Sequence, residues 1–176
     1  MYYVYATIVF VLAGYFLWVA VCFHYVLKQK ERMNTLWAQV NQALHTRYAL
    51  YGDLQSFWLA PETPPTQENT HQLQHVLAEE AATDQSDVEK RSELHWRIEA
   101  HAREMLETIH KNPNLAGNAT LPAIQQSLKD NAEHLGASIK AFNKSVLVYN
   151  TLLKSRMNAI IGKRMGLISA PQFSTH

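Results

Sequence analysis

The sequence predicts an all-α protein: an N-terminal transmembrane helix followed by an up-and-down antiparallel four-helix bundle with long helices. Three observations carry this. The first 27 of the 176 residues contain no Lys, Arg, Asp or Glu, yet hold half of the 18 aromatic residues. Beyond them, apolar residues recur in steps of three and four, the spacing of one helix face. Strand-like alternation of any length is absent from the sequence. A single Cys excludes an intrachain disulfide framework and a Cys-rich zinc site, and a net charge of +1 excludes an overall basic footprint for nucleic acid. The mean hydropathy of −0.22 averages a very apolar first segment with a polar remainder.

Val4 to Val26 has Thr7, His24 and the Tyr hydroxyls as its polar members. A hydrocarbon core of ~30 Å takes ~20 helical residues, so this stretch spans with room to tilt. Tyr2, Tyr3 and Tyr5 at one end, and Phe23, His24 and Tyr25 at the other, sit where an aromatic belt falls. A cleaved signal peptide would carry a basic first region and a small-residue cleavage site, and neither is present. Lys28, Lys30 and Arg32 follow the span and no base precedes it. Basic flanks stay in the cytoplasm, so the N-terminus is expected outside and the bulk of the chain inside. The expected division is an anchor over 1–27, a bundle over 28–155 and a basic amphipathic tail over 156–176.

Each helix has its own signals. Met33, Trp37, Val40, Leu44, Tyr51, Leu54 and Trp58 form a stripe from about Glu31 to Leu59, compatible with a helix continuous with the anchor, and Arg47 fills one position of it. Ala60-Pro61-Glu62-Thr63-Pro64-Pro65-Thr66 ends that helix, because Pro lacks a donor and restricts the residue before it. Gln67 to Ala82 is a weaker helix with Leu73, Val76 and Leu77 as core candidates. Ser86-Asp87-Val88-Glu89 has capping-box spacing and starts the next helix, whose face holds Leu94, Ile98, Ala102, Met105 and Ile109. Asn112-Pro113-Asn114 and Gly117-Asn118 make a turn. From Leu121 through Leu135, Phe142, Val146 and Tyr149 to Leu153, the last helix keeps a near-heptad stripe.

These landmarks resemble the LemA family of bacterial membrane proteins. The likeness lies in Trp37-Ala38-Gln39-Val40 with Leu44, Arg47-Tyr48 and Leu50, and in Asn112-Pro113-Asn114-Leu115 with Asn118, Leu121 and Gln125. Phe142-Asn143, Val146 and Tyr149-Asn150-Thr151 look like the family's repeated YN…V…YNT signature, its most specific piece. Gly166-Leu167 and Pro171-Gln172-Phe173 fall where the family has GF and a P-aromatic-F tail. Ala49 stands where the family has Asp, and 57–110 follows the pattern poorly. The resemblance implies a helical bundle in the bacterial inner membrane and brings no enzymatic activity with it.

Catalytic signatures are scarce. Two Glu-x-x-His pairs, Glu68…His71 and Glu107…His110, have the spacing of di-iron bundles. Pairs of this kind arise by chance in a chain with nine His, and Glu107 points away from its helix's apolar stripe. His71, His75 and Glu79 share a face but lack further ligands for zinc. Cys22 lies in the span and reads as a small apolar residue. Phosphate loops, nucleophile elbows and HExxH runs do not occur. No enzyme and no cofactor is expected.

Arg47 interrupts an apolar stripe and needs a partner: either a rim carboxylate, or a polar network with Asn131, Asn143 or Asn150 that fixes register. Charge also changes along the chain. Residues 60–110 hold 11 acids and 4 bases, whereas no acid follows Glu133 and Lys140, Lys144, Lys154, Arg156, Lys163 and Arg164 do. If the last helix returns to the membrane, Ile160, Ile161, Lys163, Arg164, Met165 and Leu167 make a reversible second membrane contact, or the tail docks on the bundle base instead. The function expected is a membrane-anchored interaction or scaffold module. Its expected partners are the lipid bilayer, an unidentified protein and further copies of itself, and no nucleic acid. A di-iron-like metal bundle and a membrane-remodelling assembly protein are the alternatives.

Overall fold

The computed structural model describes residues 2–59, 67–111, 120–155 and 162–174, without the side chains of 57–59 and 67–70. Four helices account for nearly all of it: α1 (Tyr2–Leu59), α2 (Gln67–Ala82), α3 (Val88–Lys111) and α4 (Thr120–Lys154). No strand occurs among the described residues. The Pro-rich breaker at 60–66 and the turn at 112–119 lie outside them.

Helix α1 is continuous from the apolar run into the bundle. The junction, Leu27-Lys28-Gln29-Lys30-Glu31-Arg32, is built of strong helix formers and contains no Gly or Pro, so nothing interrupts the ladder. At 1.5 Å per residue, its 58 residues make a rod of ~87 Å. Its first part is long and apolar enough to cross a membrane, with none of its most apolar 18-residue window buried by protein.

Helix α1 packs chiefly on α4, and α2 on α3. Asn131 donates to the Ala43 carbonyl and Arg47 to the Leu128 carbonyl, which sets the antiparallel register of α1 and α4. One core cluster lies toward the apolar N-terminal part of α1, built on Val26, Val40, Leu44, Phe142, Val146 and Tyr149. A second lies toward the far end and adds α2 and α3 through Leu73, Val76, Ile98 and Met105. Each buried Leu, Ile or Phe here contributes roughly 1.5–3 kcal/mol.

The expected break between α2 and α3 is present, with one correction. The predicted capping box placed Ser86 at the N-cap, but the cap is Asp87, whose carboxylate accepts the Lys90 N–H at 3.0 Å. Ser86 instead closes an Asx turn, its N–H donating to Asp84 Oδ1 at 2.9 Å. This turn docks on α1, where Trp37 Nε1 donates to the Gln85 carbonyl at 2.8 Å. The α2–α3 hairpin therefore stops at the level of Trp37.

Below that level α1 and α4 continue as a pair. Val26 is buried, and Val19, Cys22 and Phe23 are half-buried, unlike residues 2–18, which are all exposed. The last two turns of α1 before residue 27, the expected end of the anchor, thus also form the base of the bundle.

Candidate functional site

Two polar constructions stand out, one inside the bundle and one along its flank. The first centres on Arg47. Its guanidinium forms a two-point pair with Glu99 on α3, Nη2 to Oε2 at 2.8 Å and Nε to Oε1. Nη1 adds the Leu128 carbonyl at 3.1 Å and Asn131 Oδ1 at 3.5 Å. Tyr51 donates its hydroxyl to Glu99 Oε1, and the Arg47 guanidinium sits 5.3 Å from the Tyr51 ring centre. His95 lies one turn before Glu99 on the same face, with Nδ1 3.5 Å from the Tyr48 hydroxyl. The knot joins α1, α3 and α4, with both charged side chains mostly buried, at 12% and 14% exposure.

Burial works against each charge, and pairing overrides it. The Arg47 guanidinium loses hydration, but the hydrogen bond and charge of Glu99 with Tyr51 push its pKa up. Glu99 is likewise penalised by burial, yet Arg47 and Tyr51 hold its carboxyl below the usual range. Burial pushes His95 down to about 4, assisted by Arg47 and opposed by Glu99, so it is neutral at physiological pH. The Glu99 and His95 shifts are both depressions, so the stability linked to them is complete at pH 7 and is lost on acidification. For His95 the window runs from about 6.5 down to about 4 and involves on the order of 3 kcal/mol. Thermal unfolding followed by circular dichroism should show Tm falling steadily from pH 7 to pH 4, and His95→Phe should flatten the upper part of that fall. A Tm independent of pH over this window would contradict the buried neutral imidazole.

The second construction is made by Asn143, Asn150 and the tail. Asn150 accepts the Ala170 N–H at 2.9 Å and donates to the Ala170 carbonyl at 2.8 Å. Asn143 does the same to Phe173, both at 2.8 Å. Each side-chain amide thus pairs with one residue's backbone as a neighbouring strand would. The spacing explains why two Asn suffice. Seven residues of α4 advance ~10.5 Å, and three extended residues with Pro171 between the anchors advance ~9–10 Å. The tail runs antiparallel to α4 and presses Phe173, only 1% exposed, between Trp37, Phe142 and His95. Ser174 then bonds α3, its N–H donating to Ser92 Oγ at 2.8 Å and its carbonyl accepting Trp96 Nε1 at 2.9 Å.

The structure brings together some of the predicted residues and separates others. Both proposed partners of Arg47 are used, a carboxylate and Asn131. Asn143 and Asn150 are corrected: they lie lower on α4 than Arg47 can reach and hold the tail. Of the membrane-contact set, Lys163, Arg164 and Met165 are exposed, as is Ile168, whereas Leu167 is half-buried against the lower core. Ile160 and Ile161 lie outside the described residues. The tail beyond them is docked on the bundle flank from Ala170 onward.

Among the Glu-x-x-His residues, His71, Glu107 and His110 are exposed and the Glu68 side chain is outside the described residues. His110 is 3.0 Å from Gln125. His71 and His75 share an open cleft with His101 and Arg97, but no three His, Cys, Asp or Glu among the described residues are placed to hold a metal. Sequence reasoning read Tyr51 as core alone and missed its bond to Glu99, and it missed three charged residues altogether, Glu99, Glu80 and Arg91. Arg91 pairs with Glu80, both buried, and ties α3 to α2. The single signal of those three was a charge on or beside an otherwise apolar face.

Fold and site together define a helical bundle carried on a long apolar N-terminal helix and bolted shut by its own C-terminal tail. The model of the LemA family matches residues 36–176, most of the chain. The chain belongs to the LemA family. No curated protein matches it.

Proposed function

We propose that the chain is a single-pass protein of the bacterial inner membrane, with its N-terminus outside and its bundle in the cytoplasm as a non-catalytic interaction scaffold. The observation that carries this reading is the unbroken α1, which passes from candidate span into bundle core without a hinge. A bundle mounted so presents its faces at a fixed height and angle to the bilayer, which suits assembly rather than free encounter. Charge supports the orientation: Lys28, Lys30 and Arg32 follow the span, and the acid-rich α2–α3 hairpin stands away from it.

A second membrane contact belongs to this reading. Met165 and Ile168 are 57% and 80% exposed beside Lys163 and Arg164, and this segment folds against Leu153 at the lower end of α4. Exposed apolar residues next to bases are suited to a membrane surface.

The native mass of the gently extracted full-length protein tests the scaffold role. A discrete homo-oligomer, or a stoichiometric protein partner, is the expected result. A lone monomer from every mild detergent would count against it.

A further inference from the structure

We propose that the bilayer surface meets α1 between Trp18 and Ala20 rather than at Leu27, and that the lower end of the bundle rests there on anionic phospholipid headgroups. The inference rests on α1 being a membrane span and on the tail contact above, and it sets the depth and lipid class of that contact.

Register fixes the depth. Asn131 on α4 bonds Ala43 on α1, and the two antiparallel helices each rise ~1.5 Å per residue. Lys154 lies 23 residues beyond Asn131, which brings it level with Ala20, 23 residues before Ala43. The cleft lower on the pair agrees, since it joins Tyr25 and Gln29 to Val148 and Ser145. Lys163 and Ile168 gather beside Leu153 and Lys154, and Asn150 holds Ala170 level with His24. A hydrocarbon edge at Leu27 would therefore put Lys154, with Lys163 and Arg164 beside it, ~10 Å inside the membrane. That is deeper than a four-carbon stem can snorkel out of. A span tilted by ~20° shifts α4 against α1 by only ~3 Å at a helix spacing of about 8–10 Å.

Two bounds meet near Trp18. Exposed cations in hydrocarbon are costly, and Lys154, Lys163 and Arg164 have no ion-pair partner among the described residues. The backbone gives the same bound independently. Leu167 to Ser174 is neither helix nor strand, and Ile168 and Ser169 are exposed. Lipid-exposed irregular backbone does not occur in hydrocarbon, where no water satisfies its N–H and C=O groups. The edge therefore lies no further along α1 than about Ala20. From the other side, Tyr2 to Trp18 is wholly exposed and Val19 is the first half-buried residue. These 17 residues are within the range of a transmembrane helix. Trp18 and Tyr15, with ring centres 6.4 Å apart, put an aromatic pair at the edge.

At that depth the bundle base becomes a lipid contact. The Lys154, Lys163 and Arg164 cations reach headgroup level, and no acid follows Glu133 to offset them. Each therefore gains from an anionic surface. The turn that presents Lys163 and Arg164 is held in place. Leu167 N–H donates to the Gly162 carbonyl at 2.8 Å, Gly166 takes the left-handed conformation at φ 65°, and Leu167 packs back on the lower core. Met165 and Ile168 stay exposed beside the cations, where they can enter the interface.

The test uses the full-length chain in liposomes. Flotation first establishes membrane insertion; a chain that stays in the soluble fraction removes the span and with it this inference. Depth is then read from a fluorophore on Val11→Cys, His24→Cys, Tyr25→Cys or Lys30→Cys, each in a Cys22→Ser background, quenched by lipids brominated along the acyl chain. All four labelled positions are exposed, and an unchanged Tm confirms that each variant is folded. The label at 11 should be quenched at least about threefold more than those at 24 and 25, which should match the one at 30. Quenching at 24 and 25 closer than that to the value at 11 overturns the depth while leaving insertion intact. Lipid class is read from a label on Ile168→Cys. Its emission should be about threefold stronger in phosphatidylglycerol than in phosphatidylcholine liposomes, and Lys154→Gln/Lys163→Gln/Arg164→Gln should remove the difference. Equal emission in the two lipids overturns the anionic headgroup as the surface on which the bundle rests.

Discussion

Glu99→Ala should lower the unfolding free energy by about 3–5 kcal/mol, because it strands the Arg47 guanidinium in a mostly buried position. Arg47→Ala should cost a similar amount, since Glu99 would keep Tyr51 but lose both points of its fork. The double replacement Arg47→Leu/Glu99→Leu should cost much less than the sum of the two single losses. An apolar pair removes both desolvation costs at once and extends the stripe that Arg47 interrupts. A double-mutant cycle read by urea unfolding checks this, with a coupling energy above about 2 kcal/mol as the expected outcome. Single losses below about 1 kcal/mol that simply add would put the pair among solvent-screened surface bridges. The cycle also bears on acid sensitivity. Without Glu99 the His95 imidazole loses the carboxylate that opposes its depression, so it becomes harder to protonate.

The limits of what the sequence conveyed follow the range of the interactions. Helix existence is governed by local spacing, so the stripes of α1, α3 and α4 and the break before α3 could all be read in order. The α3 cap shifted by one residue because Ser86 and Asp87 both have capping chemistry, and local geometry gave the cap to Asp87. Arg47 announced that it needed a partner, but not which one. Glu99 sits 52 positions away, and only the parallel placement of α1 and α3 brings the two together. Asn143 and Asn150 announced themselves as a heptad-spaced pair. The backbone they hold has no side-chain signal, so the sequence offered Arg47 as the plausible polar partner. The tail was legible as amphipathic and basic, and the docked reading holds for its last part, on the bundle flank rather than the base. Lys163 to Met165 stays exposed, whereas Ala170 to Phe173 docks.

The docked tail carries the second large expected effect. Phe173→Ala should destabilise the bundle by about 3–5 kcal/mol, the range for a fully buried aromatic side chain. Asn143→Ala or Asn150→Ala removes two backbone hydrogen bonds, about 0.5–1.5 kcal/mol each. These losses should not add. Once Phe173 no longer fills the gap between Trp37, Phe142 and His95, the tail has little to hold it, and removing Asn143 afterwards should cost little more. Asn143→Asp is the more searching substitution. It keeps an acceptor for the Phe173 N–H but replaces the donor to the Phe173 carbonyl with a second oxygen, setting like partial charges together. Its cost should therefore match or exceed that of Asn143→Ala, although aspartate is nearly the same shape. Limited proteolysis separates tail release from global loss: cleavage within 162–174 should accelerate in each variant under conditions where far-ultraviolet circular dichroism is unchanged. If Asn143→Asp were as stable and as protease-resistant as the parent, the paired amide bonds could not be what holds the tail. Phe173 would then act alone, as a plug rather than as one end of a clamp.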